Sequence, residues 1–159
     1  MIEMETTKVR EEESNFLFEV YESSRLSEVS TWGWEQNQIT QFLKMQYQLQ
    51  QQSYLIHYPN LETNIIYFQN KKVGRLLLAN LFDKQVIVDI TILPNYQNRG
   101  IGTYIISNIL KDAKNQNKIV QLSVFYTNKQ ALKLYEQLGF KKVNQNEMYI
   151  QMEWSQVNN

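Results

Sequence analysis

The stretch that constrains this chain most runs from residue 86 to residue 115. Val86 to Leu93 is rich in β-branched and apolar residues and reads as a strand, which Pro94 ends. Gln97-Asn98-Arg99-Gly100-Ile101-Gly102-Thr103 follows, a turn with two glycines. Ile105, Ile106, Ile109, Leu110 and Ala113 then recur on one helical face, which predicts a helix over Gly102 to Asn115. A strand therefore feeds a tight turn that feeds a helix N-terminus. The first amides of a helix have no internal partner, and with the helix dipole they form a site for phosphate. Gly100 and Gly102 let the backbone turn and let a ligand approach, Arg99 adds a charge and Thr103 a hydroxyl. Glycines in this position also serve the turn alone, and both readings stand at this point. The spacing is neither that of an NTPase loop nor that of a dinucleotide fold.

The rest of the chain builds around this unit. Residues 1–14 read as a polar, mobile leader, and Phe16 to Val20 as a short strand. Tyr21 to Val29 carries a modest helical pattern, broken at Trp32-Gly33-Trp34. Glu35 to Gln52 has no Gly or Pro, and Ile39, Phe42, Leu43, Met45 and Leu49 recur at helical spacing. Leu61 to Phe68, Val73 to Leu81 and Val86 to Leu93 form an expected antiparallel meander, its first turn at Asn70-Lys71-Lys72. Ile119 to Phe125 is a strand and Lys129 to Leu138 a helix that Gly139 stops. Phe140 to Val143 and Met148 to Trp154 make a last strand pair. The order β-α-α-β-β-β-α-β-α-β-β makes the class α+β, with one domain over 15–159.

Composition narrows the chemistry. The chain has 159 residues, no cysteine and one histidine, His57. Disulfides, thiolate zinc sites, Cys nucleophiles and multi-His metal cages are excluded. Sixteen basic and sixteen acidic side chains give a net charge of zero, which disfavours a nucleic-acid partner. The start is thick with Glu and Lys, and no run of about 18 apolar residues occurs. The expectation is a cytoplasmic protein with no membrane partner.

A second motif lies one strand past the glycine-loop helix. It reads Thr127-Asn128-Lys129-Gln130-Ala131-Leu132-Lys133-Leu134-Tyr135-Glu136-Gln137-Leu138-Gly139-Phe140. Together the two stretches resemble the GNAT superfamily, the GCN5-related N-acetyltransferases. Gln97, Gly100 and Gly102 match its Q/R-x-x-G-x-G/A pyrophosphate loop. Asn128, Ala131, Leu134, Tyr135, Gly139 and Phe140 match its N-x-x-A-x-x-L-Y-x-x-x-G-F segment. The resemblance covers nearly the whole chain from Phe16, and the N-terminal region looks like a subgroup of bacterial members.

The resemblance implies a mixed, mostly antiparallel sheet with helices on both faces, splayed at a cleft for acetyl-CoA as co-substrate, and no metal. It implies that backbone groups at Ile90 and Ile92 pair with the pantetheine arm, and that the Ile90 amide polarises the thioester carbonyl. The amides from Gln97, Asn98 and Arg99 through Gly100, Ile101 and Gly102 to Thr103 would hold the pyrophosphate. Asn128 would reach the pantetheine, and Tyr135 resembles the general acid that protonates the leaving thiolate. The alternative for Tyr135 is a place in the apolar stripe with Leu132, Leu134 and Leu138. Asp89 is the candidate base; alternation puts it on the face opposite Ile90 and Ile92 unless a bulge reverses that, and a salt bridge is its other reading. Glu19, Glu22, Glu35 and His57 are weaker candidates. With no thiol available, direct attack in a ternary complex is the expected route.

The acceptor is expected to be a small-molecule or peptide amine. Tyr21, Arg25, Trp32, Trp34, Glu35, Tyr47, Tyr54 and Tyr149 are the residues available to its pocket. The competing functional reading is a GNAT-fold protein that binds acyl-CoA as a sensor or scaffold without turnover. A homodimer through the C-terminal strands is compatible with Trp154, which serves equally to close the core.

Overall fold

The computed structural model describes residues 1–6 and 11–156. The order is β1 (Ile2–Thr6), α1 (Glu11–Val29), α2 (Gln36–His57), β2 (Glu62–Phe68), β3 (Lys71–Asn80), β4 (Lys84–Ile92), α3 (Ile101–Asn115), β5 (Ile119–Phe125), α4 (Lys129–Gln137), β6 (Lys141–Gln145) and β7 (Tyr149–Trp154). One seven-stranded sheet has the order β1-β2-β3-β4-β5-β7-β6. Every pairing is antiparallel except β4 with β5. The fold is the α+β class with the mixed sheet expected of it.

Two of the sequence expectations change at the N-terminus. Residues 2–6, read as part of a mobile leader, pair with β2 from Ile2↔Phe68 to Thr6↔Asn64. Ile2 and Met4 alternate with Glu3 and Glu5, a period-two pattern that the charge density obscured. The segment Phe16–Val20, read as a strand, lies inside α1. Leu17, Val20 and Tyr21 are buried at spacings of three and four, so the helical period wins once the flanking turns are counted.

The two faces of the sheet carry separate cores. Adjacent strand residues point to opposite faces, and Ile65 and Ile66 of β2 belong to different clusters. Ile65 packs with Leu17, Tyr21, Ile39, Leu43 and Tyr47, which seats α1 and α2. Met45 and Leu49, expected on that face, are about half exposed; the buried stripe of α2 is Ile39, Leu43 and Tyr47. Ile66 belongs to the larger cluster, which holds α3 through Ile105, Ile106, Ile109 and Ala113, and α4 through Leu132. Trp154 is buried in the same cluster and closes the core. Helix α2 runs past its expected end to His57, because Pro59 disfavours helical geometry only at Tyr58 (φ −134°, ψ 80°).

Candidate active site

The site begins with a defect in the sheet. Between β3 and β4 the register steps from Leu78↔Ile87 to Leu77↔Asp89, so Val88 is an extra residue on β4. The parallel pairing of β4 with β5 reaches Ile87↔Leu122 and stops there, although β4 continues to Ile92 and β5 to Phe125. The two strands part at the bulge, and a split opens between them.

The bulge also decides which backbone groups face that split. At the start of β4, Leu81 N donates to Lys84 O at 2.8 Å, so alternation turns Gln85 and Ile87 away from β3. Beyond the bulge, Leu93 N donates to Val73 O at 2.8 Å, so Thr91 and Asp89 bond β3 while Ile90 and Ile92 turn away from it. Were Val88 paired in regular alternation instead of bulged, Asp89 rather than Ile90 would point its amide into the opening. One contact supports this assignment: the Ile92 carbonyl accepts a bond from Gln97 Nε2 at 2.9 Å, on the side away from β3.

A cleft of about 590 Å³ occupies the split on the α3 and α4 face. It is lined by Ile90, Ile92, Gln97, Asn98, Gly100, Ile101, Gly102, Thr103, Asn128 and Tyr135, all singled out from sequence. Gly100, at φ 80°, takes the left-handed conformation and caps α3, whose first turn closes with Tyr104 N on Gly100 O at 3.0 Å. Gly102 is different. Its φ is ordinary for an L residue, and a Cβ built on it meets nothing within 4 Å. Neither backbone nor packing requires glycine there, and the space where a Cβ would stand is open to the cleft. Asn98 is also left-handed, at φ 62°, and its Oδ1 accepts from Gln130 Nε2 at 2.9 Å, tying the loop to α4. Asn128 accepts the Ala131 amide at 3.1 Å through Oδ1 and so caps α4, leaving its Nδ2 donors for a ligand.

Three residues weighed from the sequence, Arg99, Asp89 and His57, do not line the cleft. Arg99 does not line the cleft: its guanidinium lies 5.5 Å from the centre of the Tyr96 ring. The cation that lines the cleft is Lys133, which stands in the second motif and to which the sequence reading gave no role. Asp89 lies on the α1 and α2 face, opposite the side chains of Ile90 and Ile92. The bulge falls just before Asp89, so simple alternation holds from Asp89 to Ile92. Its Oδ2 accepts Arg75 Nε at 2.7 Å and Thr91 Oγ1 at 3.0 Å. The salt-bridge reading of Asp89 is therefore realised. His57 is exposed in the last turn of α2, its Nδ1 2.9 Å from Ser53 O, and not in the connection expected for it.

Tyr135 faces the cleft from α4, its ring 5.8 Å from Phe140. Burial, and then the charge of Asp89, push its phenol up to about 12, so it stays protonated. Gly74 was not anticipated. A Cβ there would run into the Thr91 carbonyl oxygen and lie 3.0 Å from Ile92 Cδ1, because the backbone of β4 passes close against β3 at this pair. Among the described residues, no group of three or more His, Asp or Glu could hold a metal ion, and no helix is long and apolar enough to cross a membrane.

Comparison with known proteins converges on one family. Residues 17–140 match the model of the acetyltransferase (GNAT) family. A segment of 68 residues is 37% identical to an N-alpha-acetyltransferase of Saccharolobus solfataricus, covering 42% of this chain and 41% of that protein. The match thus spans about two-fifths of that relative's length. The fold is shared with PaiA N-acetyltransferase of Thermoplasma acidophilum in complex with coenzyme A, at a TM-score of 0.72 and 18% identity over 98% of this chain and 99% of that one. It is also shared with the N-acetyltransferase PseH of Campylobacter jejuni in complex with acetyl coenzyme A, at 0.61 and 18% over 98% and 99%.

Proposed function

The chain belongs to the acetyltransferase (GNAT) family, and from that premise we propose that it moves an acetyl group from acetyl-CoA to a primary amine by direct attack within a ternary complex. The observation that carries this reading is the split beyond Ile87↔Leu122, with the backbone of Ile90 and Ile92 turned into it and Tyr135 on its far wall. Acetyl-CoA supplies the thioester. The amides at the start of α3 and in the loop from Asn98 to Thr103 bind its diphosphate, with Lys133 adding charge; the Gln97 amide, expected to join them, is bonded to the Pro94 carbonyl. Gly102 keeps the space clear for the diphosphate. The backbone groups of Ile90 and Ile92 that turn into the split hold the pantetheine as an added strand, and the Ile90 amide takes the negative charge that grows on the carbonyl oxygen. The Gln97 side chain gives up the Ile92 carbonyl as that strand forms.

As the amine nitrogen bonds to the carbonyl carbon, the carbon–sulfur bond breaks and the sulfur leaves with its electron pair. Tyr135 donates a hydrogen bond and proton to it. A phenol held at about 12 keeps this proton past the ordinary tyrosine range, so Tyr135 causes no loss of rate as pH rises through 10. The proton that the amine gives up passes through water to Asp89, the base in this reading, whose Oδ2 is held by Arg75 and Thr91.

Acetyl-CoA at 100 times its dissociation constant should stabilise the fold by about 2.7 kcal/mol. A screen of amines read by release of free CoA then identifies acceptors. Tyr135→Phe should lower kcat by on the order of 10²–10⁴-fold and leave acetyl-CoA affinity unchanged. No thermal shift rejects the reading, and unchanged turnover in Tyr135→Phe rejects the acid. Binding without turnover of any amine would favour the sensor reading.

A further inference from the structure

Arg25 is the only cation within α1, and Glu22 and Glu28 each lie three residues from it. That spacing suits an ion pair on a helix surface. Arg25 forms none: among the described residues the ion pairs are Arg75–Asp89 and Lys142–Glu136. Its guanidinium turns inward instead and lies 5.2 Å from the centre of the Tyr21 ring. Its Nε is sealed from solvent and has no acceptor. The residue as a whole is half-buried, so its outer nitrogens stay open to a ligand.

The Tyr21 ring has a second cation against it. The Arg75 guanidinium lies 5.8 Å from the same ring and 5.9 Å from Tyr47, and its charge is met by Asp89. Glu19 and Glu22 do not complete the balance, since they line a separate groove against Leu93, Pro94 and Tyr96. Two guanidinium groups thus lie against one ring, Asp89 pairs with Arg75 alone, and the charge of Arg25 is left unpaired. Keeping it half-buried costs free energy that the Tyr21 ring offsets in part and no carboxylate in the cluster offsets.

This excess charge stands beside the reacting centre. Asp89 directly precedes Ile90, and its charge reaches Tyr135. Tyr54 on α2 marks the same place. Burial and the charge of Asp89 push its phenol up to about 12, while Arg75 and Arg25 both pull against the shift.

We infer that the acceptor amine also bears a carboxylate, and that Arg25 is the specificity residue that holds it. A carboxylate accepts two parallel N–H bonds from a guanidinium and supplies the missing charge. The inference rests on the acetyltransferase reading and narrows it, from amines at large to amino acids and other amines with a carboxylate close by. A polyamine would add positive charge to a site that already has an excess.

The test compares a set of α-amino acids with their amides and their decarboxylated amines, for the wild type, Arg25→Gln and Arg25→Lys, by release of CoA. Dipeptides with an acidic side chain and an amidated C-terminus, each beside its neutral isostere, form a second arm and distinguish a side-chain carboxylate from an α-carboxylate. In one arm the carboxylate-bearing acceptor should be favoured by about tenfold or more in kcat/KM, equivalent to about 1.4 kcal/mol. Arg25→Gln should erase that preference, Arg25→Lys should restore part of it, and acetyl-CoA affinity should be the same in all three proteins. Equal use of the partners without a carboxylate, a preference that survives Arg25→Gln, or no turnover in either arm by protein that binds acetyl-CoA would overturn the inference. Failure of the wild type to bind acetyl-CoA would overturn the acetyltransferase reading itself.

Discussion

Gly100 and Gly102 look alike in the sequence and do different work. Gly100 is left-handed and serves the turn. Gly102 has helical neighbours, an ordinary φ and open space where a Cβ would stand. Gly102→Ala should therefore stabilise the unliganded protein, by about 0.4–1 kcal/mol, because the unfolded chain loses freedom that the helix never needed. The same methyl group should weaken acetyl-CoA binding. Chemical denaturation with and without acetyl-CoA reads both effects, and a variant that is more stable yet binds equally well would remove Gly102 from the ligand's path. The motifs made this pair of glycines legible in the sequence. They did not show that one serves the chain and the other its ligand. Arg99 is the converse case: its charge and position suggested phosphate, and a neighbouring aromatic ring, Tyr96, holds it elsewhere.

At the level of elements, β3 and β4 carry a charge in the middle of a sheet. Arg75 is 3% exposed and Asp89 24%, so the pair is largely withdrawn from water. Removing one partner strands the other. Asp89→Asn should cost about 3–5 kcal/mol of folding stability, while replacing both residues with apolar ones of similar volume should recover much of the loss. Urea unfolding of the single and double variants measures this, and equal stability of Asp89→Asn and wild type would show that the pair contributes nothing. Sequence alone left Asp89 with two roles because its partner lies fourteen positions away on the neighbouring strand. The pairing Arg75↔Thr91, one step from Leu77↔Asp89, is a matter of register, and register here depends on one bulged residue. The order of strands and helices was legible from periodicity, except where charge density hid a strand, as at Ile2–Thr6, and where a short apolar segment fitted both periods, as at Phe16–Val20.

For the molecule as a whole, the split is where the two parts of one sheet separate, with β1 to β4 on one side and β5 to β7 on the other. The backbone amides of Ile90 and Ile92 face that opening, while those of Asp89 and Thr91 are bonded to β3. Hydrogen exchange should follow this alternation: Ile90 and Ile92 exchange faster than Asp89 and Thr91 in the free protein, and acetyl-CoA slows them selectively. Uniform protection along β4, with or without acetyl-CoA, would contradict the assignment. The sequence by itself determined the α+β class, the strand–loop–helix unit, the two motifs and most of the residues around the cleft, because periodicity, turn chemistry and helix ends are local properties. Only the tertiary structure decided which backbone groups open into the split, on which face Asp89 lies, that Gly74 must leave room for the backbone of β4, and that two arginines lie against one tyrosine ring. Those depend on register across strands and on how α1 and α2 pack against them. Contacts of that kind join residues far apart in the chain, and no local pattern specifies them.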